Sequence, residues 1–223
     1  MNIEKRQTRI KKVAVNAMLC ALSYASMLII KIPVQFLDLD VKDSIIILSG
    51  LLFGPLSAAV ISIVVPLIQL FTISGTGYYG FIMNVLSSLS FSLAASLIYK
   101  YKKSFSGAIV ALASGVFAMT AVMMIANLII TPYYLGVPTE AVSALIPKLL
   151  LPFNLIKGVL NAAIVLLLYK PLSNVLKKMR ITEPSCEEKN GTAHNKTISV
   201  IVMLCALALI AASAAVVYFL LMK

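Results

Sequence analysis

"SIIILSGLLFGPLSAAVISIVVPLIQLFTISGTGYYGFIMNVLSSLSFSLAASLIY", residues 44–99, runs for 56 positions without one charged side chain. An amphipathic helix of a soluble protein keeps a solvated face, and no such face exists here. Two more uncharged runs cover residues 104–139 and 197–222, which is 36 and 26 positions. About 20 apolar residues take a helix across the hydrocarbon core. Of the 223 residues, 61% are hydrophobic and 12% charged, against roughly 25% charged in soluble domains. The fold class that follows is an all-α integral membrane protein. A transmembrane β-barrel is excluded, because its strands alternate polar and apolar residues with period two.

Breaks in the apolar pattern divide the chain. A first helix is expected over about 13–30, followed by an acidic loop over 31–43 that contains Asp38, Asp40 and Asp43. A short second helix, 44–53, ends at the Phe53-Gly54-Pro55 turn signal. Further helices are expected over 56–73, 79–99, 105–130 and 145–170, with a loop at 131–141. These six helices form one substrate-binding membrane domain, residues 1–180. A polar linker, 181–196, and an additional transmembrane helix, 197–223, complete the chain.

The net charge of +11 invites a nucleic-acid reading, but its placement argues for a lipid bilayer instead and no nucleic acid. Lys5, Arg6, Arg9, Lys11 and Lys12 precede the first helix; Lys100, Lys102 and Lys103 separate the fourth and fifth; Lys170, Lys177, Lys178 and Arg180 follow the sixth. Basic residues gathered in alternate connections mark the cytoplasmic side. The pattern predicts a multi-pass cell-membrane protein with its N-terminus in the cytoplasm and the aspartate loop outside. Cys20, Cys186 and Cys205 lack metal-ligand spacing, so no metal site is expected.

Polar residues are rare enough in the apolar runs to be informative. Asn154 and Lys157 lie three apart and share a helix face. Asn84 and Asn127 fall, like them, toward the outer halves of their helices. A lone membrane asparagine commonly ties helices together, and a lysine can extend to the interface. Four such groups able to converge suggest a pocket for a neutral or weakly acidic heterocycle, with no intramembrane carboxylate expected. Gly75, Gly77 and Gly80 mark the turn before the fourth helix, where bare backbone and Tyr78 or Tyr79 could cover a ligand; a tight turn alone needs only one or two glycines. Ala17, Ala21 and Ala25 recur every four residues as a smooth ridge, suited to internal packing or to a partner helix. No phosphate-binding glycine loop, zinc motif or nucleophile elbow occurs. Transport or binding is therefore the expected class, with no cofactor; a small polytopic membrane enzyme or assembly factor is the alternative.

The stretches "DLDVKD" (38–43), "GLLFGPLSA" (50–58), "GTGYYGFIMN" (75–84), "ANLIITPYY" (126–134) and "LPFNLIKG" (151–158) resemble the riboflavin-specific S-components of energy-coupling-factor (ECF) vitamin transporters. The resemblance implies six helices and an outward-open pocket capped by the loop after the first. It implies that Asn127, Asn154 and Lys157 contact the flavin ring and that the Gly75–Gly80 turn lines the pocket. Asp40, in the capping loop, joins these candidates. The Ala17–Ala21–Ala25 ridge would meet a transmembrane coupling subunit, itself driven by two ATPase subunits. An S-component for another vitamin is a nearer alternative than any enzyme. The segment beyond residue 180 has no counterpart in the resemblance.

Overall fold

The uncharged runs 44–99 and 104–139 are largely helical in a computed structural model, which describes residues 3–178 together with Ala208 and Ala211. The expected linker 181–196 lies outside the described residues, as does the expected seventh helix apart from those two alanines. In chain order come α1 (Ile3–Ile29), the strands β1 (Lys31–Val34) and β2 (Leu37–Asp40), α2 (Lys42–Phe53), α3 (Pro55–Thr72), α4 (Gly77–Tyr101) and α5 (Phe105–Leu135). Then follow α6 (Thr139–Leu145), a π-helical turn (Ile146–Leu150) and α7 (Leu151–Lys178).

Among the described residues, five segments are long and apolar enough to cross a membrane: Arg9–Ile29, Pro55–Thr72, Gly77–Tyr101, Phe105–Leu135 and Thr139–Asn174. The expected short second helix, α2, has 12 residues. At helical rise that is about 18 Å, short of a hydrocarbon core of about 30 Å. Residues Lys42 to Leu51 of α2 are all buried, so it is enclosed by its neighbours and does not face lipid along its length.

The segment before α2 explains its shortness. Residues 31–40 are not the irregular loop expected but an antiparallel hairpin, with Lys31 opposite Asp40 and Val34 opposite Leu37. Gln35 takes a left-handed conformation at the turn, φ 56°. Val34 and Leu39 pack on Leu149 of the π-helical turn and Phe153 at the start of α7. The hairpin thus dips into the bundle, and α2 covers only the remaining depth. Non-helical backbone is tolerated at such depth only where protein surrounds it.

Two other boundaries differ from expectation. Helix α5 continues past residue 130 to Leu135, and Gly136 ends it in the left-handed conformation, φ 67°, as helix-terminating glycines do. The expected loop 131–141 shrinks accordingly. The expected helix 145–170 is continuous in direction but opens with a π-helical turn that contains Pro147, and α7 extends to Lys178.

Helices α4 and α5 form the middle of the core. Phe91, Ala95, Ala108, Ala111, Leu112 and Met119 pack there with Ile47 and Leu48 of α2 and Val165 of α7. Close approach depends on small residues. A Cβ on Gly50 would fall 2.9 Å from Cβ of Ala58 and 3.0 Å from Cβ of Ser96, so this one position sets the spacing of α2 from both α3 and α4. Gly50→Val is expected to overpack that contact and destabilise the protein by about 1–3 kcal/mol. Thermal unfolding in detergent should show a lowered midpoint; an unchanged midpoint would mean the three helices do not meet there.

Candidate binding site

Strand β2 and helix α2 meet at "DVKD", residues 40–43, which puts three charges in four positions. All three are buried: Asp40 is 2% exposed, Lys42 0% and Asp43 0%. Removing an ion from water costs several kcal/mol unless a partner compensates it. The compensation comes from within the segment and from α7. Lys42 Nζ donates to both carboxylate oxygens of Asp40, at 3.0 and 3.2 Å, and to Oδ1 of Asn84 at 2.9 Å. Lys157 Nζ donates to Asp40 Oδ2 at 3.1 Å and lies 3.9 Å from Asp43 Oδ2. Ser88 on α4 donates to Asp43 Oδ1. Asn161, one turn beyond Lys157, donates to the Asp40 carbonyl at 3.0 Å and accepts from the Ser44 N–H at 2.8 Å. Two aspartates and two lysines therefore form a quartet of zero net charge. Burial pushes the Asp40 carboxyl up, but the ammonium groups of Lys157 and Lys42 outweigh it and hold the group at about 2. The acidic segment expected as a loop thus folds inward and buries Asp40 and Asp43 within the protein.

A cavity of about 90 Å³ adjoins the quartet, between the hairpin turn, α4, α5 and α7. Asn84, Asn127, Asn154 and Lys157 all line it, so the four polar residues singled out in the sequence do converge. Asn127 spends one N–H on the Met123 carbonyl and accepts from Thr131; Asn154 spends one N–H on the Leu150 carbonyl. Each amide keeps a second N–H for a ligand. Asp40 lies behind Lys157 and does not line the cavity. Gly75, Gly77 and Tyr78 do not line it either. Gly77 has φ 56° and Tyr78 is 76% exposed, so the glycines serve the turn into α4. Thr76, Tyr79 and Gly80 of that turn are the residues that reach the cavity.

Tyr79 had been named with Tyr78 as a possible cover, whereas Ser87, Phe36 and Phe153 had not been singled out. Tyr79 pairs with Tyr134 across the mouth, ring centroids 6.0 Å apart at 58°. Ser87 lines the wall with a buried hydroxyl that has no hydrogen-bond partner among the described residues. Phe36 and Phe153 add apolar surface. The ridge on α1 is turned away from this site. Ala17 and Ala21 are exposed and Ala25 half-buried, while Leu19, Ser23 and Met27 face the core.

Residues 11–169 match the family described as "ECF transporter, substrate-specific component". The chain belongs to this family. It is therefore a multi-pass membrane S-component, a transporter subunit and not an enzyme. It is 31% identical to the riboflavin transporter RibU of Staphylococcus aureus (strain TCH60), over 76% of this chain and 94% of that protein. It is 28% identical to the riboflavin transporter FmnP of Bacillus subtilis (strain 168), over 77% and 97%. A solved S component of a bacterial ECF transporter superposes with a TM-score of 0.65 at 31% identity, covering 76% of this chain and 99% of that one.

The quartet gives this S-component a measurable signature. Asp40→Asn should destabilise it by about 3–5 kcal/mol, because two buried ammonium groups lose their shared partner. Lys31→Met, which breaks the half-exposed Lys31–Asp38 pair (3.0 Å), should cost at most about 1 kcal/mol. The Asp40 contribution is complete above the ordinary carboxyl value of 3.8 and is lost as pH falls toward about 2. Unfolding midpoints of the parent protein should therefore gain nothing from this group between pH 7 and 5 and lose it between 4 and 2. Equal effects of the two substitutions would contradict the pairing.

Proposed function

We propose that this S-component binds riboflavin at the outer face of the membrane and carries it inward as part of an ECF importer. The observation that carries the reading is the cavity itself: amides from α4, α5 and α7 surround a lysine whose charge is already matched by Asp40. Asp38 also lines it and is paired with Lys31, so the wall offers hydrogen bonds with its charges matched. Riboflavin has a planar ring system with an imide edge, two carbonyls flanking an N–H, which amide groups can meet donor to acceptor. The aromatic pair Tyr79–Tyr134 and Phe153 suit its ring faces. Because no lining cation is left unpaired among the described residues, the site favours the uncharged vitamin over its phosphate. Both named relatives are riboflavin transporters.

In this reading residues 1–180 are the binding unit, the N-terminus is cytoplasmic and the hairpin caps the vitamin from outside. The 90 Å³ cavity must widen for the whole vitamin, and the hairpin turn and the α3–α4 turn are the segments that would yield. The chain carries no ATPase motif, so a transmembrane coupling subunit and two ATPase subunits would supply the energy. The outward-facing Ala17–Ala21–Ala25 ridge supports docking over internal packing.

Two outcomes test this. Titration of the purified protein, followed by quenching of flavin fluorescence, should show tight riboflavin binding. Asn127→Leu and Asn154→Leu should each weaken it by about 1–3 kcal/mol, the cost of an unpaired buried polar group; tight thiamin binding without riboflavin binding would overturn the assignment. Separately, Ala17→Trp or Ala21→Trp should abolish uptake and co-purification with the coupling subunit while leaving riboflavin binding intact. Loss of binding together with assembly would return the ridge to internal packing.

A further inference from the structure

At the other end of the bundle lies a larger cavity, about 400 Å³, which the vitamin site does not use. Its charged lining comes from two separate parts of the chain: Lys12 on α1, and Lys100 and Lys103 at the end of α4 and just beyond it. Among the described residues no aspartate or glutamate lines it and none of the three lysines is in an ion pair. Ser96 and Ser173 place hydroxyls on its wall. The volume falls in the range of small-molecule sites.

Positive charge at this end of a membrane protein has an ordinary explanation in topology. That explanation requires only that the lysines be present, not that they share a cavity. Lys11 and Lys102, their immediate chain neighbours, do not line it. Convergence is thus selective. Three lysines lining one concave surface make it electropositive, and phosphate oxygens accept several charge-assisted hydrogen bonds at once.

We infer that this cavity is a binding site for a phosphate-bearing anion, either the headgroup of an acidic phospholipid or a soluble phosphate compound. Basic pockets between membrane helices on the cytoplasmic side bind lipid headgroups in this manner. The site is independent of what the other cavity binds.

Native mass spectrometry of the full-length protein in detergent, with phosphatidylglycerol or phosphatidylcholine added, tests it. One phosphatidylglycerol should be retained per chain in preference to phosphatidylcholine. Retention should fall about tenfold in Lys12→Gln/Lys100→Gln/Lys103→Gln and persist in Arg9→Gln/Lys11→Gln/Lys102→Gln, which removes the same charge from the same end. If millimolar inorganic pyrophosphate displaces the lipid, the soluble anion is the ligand; if it does not, the lipid is. Equal losses in the two triple variants, or no preference for phosphatidylglycerol together with no pyrophosphate binding, would overturn the site. Should the first triple variant not fold, Lys100→Gln compared with Lys102→Gln carries the same expectation at smaller amplitude.

Discussion

The architecture depends on four charges held away from water. Asp40, Lys42, Asp43 and Lys157 neutralise one another across 117 residues of chain. Each would be costly alone in an apolar bundle, and breaking one pair strands the rest. The quartet therefore fixes where the hairpin ends: against α7 through Lys157 and Asn161, and against α4 through Asn84 and Ser88. Once that junction is fixed at depth, α2 needs only twelve residues, and the polar backbone of the hairpin is enclosed by protein.

The same arrangement prepares the binding site. Lys157 faces two ways, toward Asp40 and toward the cavity. Its charge is satisfied before any ligand arrives, so what it offers is a directed N–H in a neutral setting. Asn84 similarly accepts from Lys42 while lining the cavity. Hairpin position and cavity chemistry are therefore one problem, and a substitution that loosens the first should be felt in the second. Local hydrogen bonds from Asn127 and Asn154 to their own helices hold the amides in place, which lowers the ordering cost of binding.

Much of this was legible in the sequence, and what was not has identifiable causes. Helix limits at Gly54-Pro55 and at the Lys100–Lys103 cluster came within two residues, because glycine, proline and charge interrupt an apolar pattern unambiguously. Asn84, Asn127, Asn154 and Lys157 could be singled out because polar groups in apolar helices are expensive and few. The hairpin was missed although "LDLD", residues 37–40, alternates with period two; the aspartates were read as an exposed acidic loop. Their pairing with Lys157 is long-range and leaves no local trace. Tyr78 and Tyr79 were left as alternatives, and Tyr79 is the one that lines the cavity: one position on a helix is a rotation of about 100°, which the residue types alone do not resolve. Gly75 and Gly77 were assigned to the ligand, whereas the backbone of the turn itself accounts for Gly77.

The central claim is that the cavity beside the quartet is where riboflavin binds. An experimental structure of the purified protein with riboflavin bound tests it most directly. The flavin ring should lie between α4, α5 and α7, with its imide edge in hydrogen-bond reach of Asn127, Asn154 or Lys157 and the Lys157–Asp40 pair intact. A flavin seated elsewhere, or one whose binding separates Lys157 from Asp40, would contradict it.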